Sequence, residues 1–112
     1  MDITELEKSK AHITVEIIEY FPNSVLNKKI LKKSSGNISI MSFDTGEGLI
    51  EKTSPFDIYA QIIEGKAELV IDGTSIILET GQSIIIPAHK SNHIKANGHF
   101  KLMQTAFRSA FE

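Results

Sequence analysis

Between Gly65 and Pro87 the chain reverses direction faster than any helix allows. Gly65-Lys66-Ala67-Glu68-Leu69-Val70-Ile71 and Thr74-Ser75-Ile76-Ile77-Leu78-Glu79 are separated only by Asp72-Gly73. A two-residue type I′ turn needs positive φ at both central positions, which Asp-Gly supplies, so the pair predicts a hairpin. Gly81, after Glu79-Thr80, marks a second reversal. Ile84-Ile85-Ile86 is too short for a helix and stops at Pro87, which cannot donate to a sheet. Turns at this pace predict an antiparallel β-sandwich or barrel.

The rest of the chain fits a single domain of residues 1–112. A length of 112 residues supports one core, and 41% hydrophobic with 23% charged residues describes an ordinary globule. The formal net charge of −2 gives no electrostatic case for nucleic acid or an anionic membrane. Lys28-Lys29 and Lys32-Lys33, the densest basic spots, suit a solvated strand edge. With no cysteine there can be no disulfide, thiolate metal site or cysteine nucleophile. The acidic start Met1-Asp2-Ile3-Thr4-Glu5-Leu6-Glu7 does not read as a signal peptide, no stretch is apolar enough for a membrane span, and a cytoplasmic location is expected.

Taken in order, Thr4 with Glu7 fits a capping box and predicts a short helix from Thr4 to Ala11, within residues 1–12. His12 follows as a surface residue. Ile13 to Tyr20 alternates and predicts a strand ended by Pro22-Asn23; Val25 to Lys33 predicts another. Ser34-Ser35-Gly36-Asn37 is a turn, Ile38 to Phe43 a third strand, and Asp44 to Gly48 a glycine-rich loop. Asp57 to Ile63 precedes the opening stretch, and Asn92 to Ala96 precedes an Asn97-Gly98 turn. A last strand over residues 99–108 alternates Phe100, Leu102, Gln104 and Ala106 with Lys101, Met103, Thr105 and Phe107. Both of its faces are mixed, as at a subunit contact.

Residues 46–65 and 81–96 resemble the two motifs of the cupin superfamily. The first family motif runs Gly, five residues, His-x-His, three or four residues, Glu, six residues, Gly; Gly46 and Gly65 stand at that separation, with Pro55-Phe56-Asp57 and Ile63-Glu64-Gly65 between and at its end. The second runs Gly, five residues, Pro-x-Gly, two residues, His, three residues, Asn; Gly81 and Pro87 fit it without a gap. The resemblance implies an all-β, antiparallel jelly roll, the double-stranded β-helix of cupins. In metal-dependent cupins the motif histidines and glutamate hold a divalent transition metal. Counted onto this chain, those slots fall on Lys52, Ser54, Ile58 and Asn92, the motif glycine on His89 and the final asparagine on Ala96. Isoleucine cannot bind a metal, lysine must first lose its proton, and serine and asparagine are weak neutral donors. The usual metal site is therefore expected to be absent, with no cofactor.

Three functions follow from different classes. The first is a metal-free module that binds or senses a small molecule of unknown identity. Its pocket would hold Lys52, Ser54, Ile58, Ile62 and Asn92, with Ile84 or Ile86 lining it. The second is an enzyme of the isomerase, lyase or oxygenase kind. It would use a displaced metal on His89 and His93 with Glu51, or Lys52 as acid and base, its pKa lowered by burial. The third is a structural or interaction protein whose barrel is filled by its own side chains. Alternation sets Ile58, Ala60 and Ile62 inside and Tyr59 and Gln61 outside, where tyrosine suits an interface. Asn92 then points inward and His93 outward. A homodimer is expected, joined through the Ile13 to Lys33 region or the last strand.

Overall fold

The structure, a computed structural model, describes residues 5–107. Eight strands follow in order: β1 Val25–Lys33, β2 Gly36–Phe43, β3 Gly48–Lys52, β4 Ile58–Ile71, β5 Thr74–Glu79, β6 Ser83–Ile86, β7 Asn92–Lys95 and β8 Phe100–Phe107. Every pairing is antiparallel. One layer is built from β1, β2, β8, the first half of β4 and β6; the other from β5, the second half of β4, β7 and β3. The fold is an all-β antiparallel jelly roll.

The long strand β4 belongs to both layers. It bends where its register with β8 slips between Ile62 and Glu64, just before Gly65, whose φ is +95°. The bend seats Gly65 directly against β8: a Cβ there would lie 2.5 Å from the His99 carbonyl oxygen. Only glycine fits that approach. At the far end, Asp72 (φ 49°) and Gly73 (φ 83°) make the expected hairpin turn into β5.

Side chains alternate about this frame. Ile58, Ala60, Ile62, Ala67 and Leu69 of β4 point inward and meet Phe43, Leu78, Ile86, Ile94, Phe100 and Leu102 in one core. The Phe43 and Phe100 rings stack with centroids 4.4 Å apart, and both are fully buried.

Two expectations for the N-terminal region fail. Thr4 lies outside the described residues, and residues 5–11 contain no helix. Residues of the expected helix instead cover the free edge of β1: the Glu5 carboxylate accepts from Lys32 N at 2.7 Å, and Leu6 N donates to Ile30 O at 3.1 Å. Ile13 to Tyr20 is not a strand either. It holds one 3-10 turn, Thr14–Glu16, and otherwise runs as an irregular strap over the outer face of the first layer. Side chains rather than a ladder take its carbonyls. Lys101 Nζ donates to Val15 O, Ser42 Oγ to Glu19 O at 2.7 Å, and Lys28 Nζ to Ile17 O. Ile18 is buried under this strap, and Ile40, on the outer face beneath it, is fully buried outside the main core. His12 is exposed, as expected.

Two further differences are smaller. Residues 48–52, for which no strand was expected, form β3, an edge strand paired, among the described residues, only with β7. The strand expected over Asp57 to Ile63 continues without interruption through Gly65 to Ile71.

Candidate functional site

The four slots that the cupin motifs reserve for a metal converge only in part. Lys52 ends β3 directly opposite Asn92 in the ladder with β7. Asn92 is 1% exposed, and its Nδ2 donates to Lys52 O and Lys90 O, both at 3.3 Å. Its amide is thus a clamp that fixes the end of β3 to the turn before β7. Lys52 itself is exposed, so a lysine desolvated inside the barrel is not what the fold provides. Ser54 is half-buried in the β3–β4 loop; its carbonyl accepts from His89 N at 2.7 Å and its Oγ from Phe56 N at 3.1 Å. Ile58 and Ile62 are core residues. An aliphatic side chain, an exposed ammonium and two weak neutral oxygens, from Ser54 and Asn92, do not form a donor set for a transition metal.

The displaced alternative is not assembled. His93 lies on the outer face with Nδ1 3.9 Å from Glu51 Oε2, whereas His89 is exposed on the preceding turn. No three His, Asp or Glu side chains among the described residues are grouped as ligands.

The barrel interior has little room. A cavity lined by Ala60, Ile62, Leu69, Ile86, Phe100 and Leu102 has about 10 Å³ of free volume. That is at the lower limit for a single water, and its lining offers no polar partner.

A much larger concavity, about 590 Å³, lies outside the barrel and was not anticipated. Thr45, Lys66, Glu68, Ile77, Asn97 and His99 line it. Lys66 and Glu68 face outward because they alternate with inward Ala67 and Leu69, and Ile77 stands across the ladder from Glu68. Glu68 accepts from Ser75 Oγ at 2.6 Å; this bond and, more weakly, Lys95, the Asn97 side chain and His93 hold its carboxyl below the usual range.

One wall of that groove is anchored from behind. His99 stacks on Tyr20 with centroids 4.2 Å apart, and Tyr20 donates to Glu64 Oε1 at 2.6 Å. Lys101 Nζ sits 5.0 Å from the centre of the Tyr20 ring. Burial first, then the Glu64 carboxylate, pushes the Tyr20 phenol well above its ordinary pKa.

No protein-family model matches this chain, and no curated protein does. Solved structures match it closely in shape. A cupin superfamily protein from Desulfitobacterium hafniense superposes with a TM-score of 0.88 at 27% identity, over 97% of this chain and 100% of that one. The chain is a cupin by fold. A conserved protein of unknown function from Streptococcus pyogenes gives a TM-score of 0.89 at 22% identity, over 96% and 94% of the two chains. An RmlC-like cupin from Shewanella frigidimarina gives 0.76 at 16%, over 97% of each. In this chain the motif glycines Gly46, Gly65 and Gly81 all have positive φ, at 85°, 95° and 86°. His89, in the slot of a fourth motif glycine, keeps that conformation at φ 65°.

Proposed function

We propose that this cupin is a metal-independent binding module whose barrel is a packed scaffold and whose recognition surfaces lie on its outside. The observation that carries the reading is the interior itself: apolar on every side, with about 10 Å³ free. Of the three expected functions it favours a filled barrel over an interior ligand pocket, and it moves any small-molecule site to the exterior. The cysteine-free chain is compatible with a reducing cytoplasm, where we place it. No helix among the described residues is long and apolar enough to cross a membrane.

We further propose that a second copy covers the outer face of β6, β4 and β8. Ile85, Tyr59 and Thr105 are in register across the three strands, and Phe107 lies two residues along. Ile85, Tyr59 and Phe107 are 61%, 43% and 65% exposed. None of the four is charged, so the face meets its own copy without like-charge repulsion.

Two measurements test the reading. Titration of protein purified without chelator with Mn, Fe, Ni and Zn should show no stoichiometric site. A bound metal lost on Asn92→Ala would overturn the metal-independent scaffold. Sedimentation should show a dimer that Tyr59→Glu converts to monomer; a wild-type monomer at tens of micromolar would remove the interface.

A further inference from the structure

We propose that the outer groove between β4, β5 and the β7–β8 loop binds small aliphatic carboxylates. The proposal rests on the packed-scaffold reading and adds a site and a ligand class to it. At about 590 Å³ the groove is within the size range of small-molecule sites, whereas the barrel interior is far below it.

What the groove leaves unpaired decides the chemistry. Its carboxylates are engaged internally. Glu68 accepts from Ser75 Oγ and is further balanced by Lys95, the Asn97 side chain and His93. Asp44, beside the groove residue Thr45, takes the backbone N–H groups of Asn23 and Thr45. Its donors are not spent. Lys66 has three ammonium hydrogens and forms no hydrogen bond or ion pair among the described residues; even Glu79, directly across the ladder, does not close one. His99 adds a ring N–H, is held in place by its stack on Tyr20, and lies near enough to Asp44 to help lower that carboxyl.

A bound group must therefore accept, and beside an ammonium it is best an anion. A bare anion would leave the rest unused. Ile77 is 48% exposed at the groove, so an alkyl body on the carboxylate covers apolar surface that water now wets. Ala67 lines both the groove and the barrel interior, so the two spaces lie on opposite sides of β4.

Methyl- and amide-resolved NMR titration of the full chain with butyrate, hexanoate and hexylamine tests this. The expected result is saturable shifts at Ile77, Gly98 and His99 with both acids. Affinity should rise roughly twofold to fourfold per added methylene. Lys66→Met should weaken hexanoate binding by about threefold to fivefold with an unchanged spectrum elsewhere. Hexylamine binding as well as hexanoate, or Lys66→Met without effect, would overturn the carboxylate assignment. No saturable shift in the millimolar range would overturn the groove and leave the scaffold reading standing. Shifts centred on Leu69, Ile86 and Leu102 would place the ligand inside the barrel and overturn both.

Discussion

Replacing Gly65 by alanine isolates the bend that lets β4 serve two layers. Two costs add. An L-residue at φ +95° is strained by about 1–3 kcal/mol. The new Cβ would also lie 2.5 Å from His99 O and 2.9 Å from Phe100 Cβ, and neither can swing away, because one is backbone and the other belongs to a fully buried ring. Forcing such a methyl into packed surroundings costs about 1–3 kcal/mol more. Against this, alanine restricts the unfolded chain and returns about 0.4–1 kcal/mol. The net loss is about 1–6 kcal/mol, or a fall in Tm of roughly 5–30 °C for a domain near 100 residues. Gly73→Ala is the matched control. Its φ is +83°, but no atom lies within 4 Å of a Cβ there, so only strain remains, about 1 kcal/mol net. Urea unfolding of both variants at one protein concentration, with unchanged m-values, measures the difference. If Gly65→Ala cost no more than Gly73→Ala, the close approach of β4 to β8 would be wrong.

Tyr20→Phe removes the hydrogen bond to Glu64 and should cost about 1–2 kcal/mol near neutral pH, part of the charge-assisted value being screened by solvent. The Tyr20 phenol titrates higher in the folded state than in the unfolded one. Its contribution is therefore full below about pH 10 and is lost as pH rises beyond it, so the stability gap between wild type and Tyr20→Phe should narrow from pH 9 to 11. A constant gap over that range would refute the buried, carboxylate-bound phenol. His89→Gly should be neutral or stabilise by up to about 1 kcal/mol, since it relieves positive φ while loosening the unfolded chain. His89→Val, branched at Cβ, should instead destabilise in the same urea assay. Equal midpoints for the glycine and valine variants would mean that position 89 is not held at positive φ.

These variants mark where local chemistry determined the structure and where it did not. The Asp72-Gly73 turn, the stop at Pro87 and the alternation of Ile58, Ala60 and Ile62 with Tyr59 and Gln61 were all readable, because each follows from a dihedral or a period within a few residues. The strap was not. Ile13 to Tyr20 alternates like a strand, yet its carbonyls are bonded by Lys28, Ser42 and Lys101, which lie far away in sequence. The helix expected after Thr4 was displaced in the same way: Glu5 and Leu6 bond to the β1 edge instead. The outer groove depends on Thr45, Ile77 and Asn97 from three separate connections and strands, so no local pattern announces it.

The candidate metal slots join the two cases. Motif spacing put Lys52 and Asn92 together, and the ladder pairs them. Spacing says nothing of what the side chains then do, and here Asn92 turns its amide to two carbonyls while Lys52 faces water. The positive φ at Gly46, Gly65, Gly81 and even at His89 gives the motif spacing a backbone reason of its own. Those positions shape the turns and the β4 bend, a requirement that holds whether or not an ion is bound. Metal ligands carry no such backbone duty. On the metal-independent reading proposed above, those slots are open to an isoleucine that adds to the core or an asparagine that ties down an edge strand, while the backbone conformation at each motif turn is kept, even where His89 replaces a glycine.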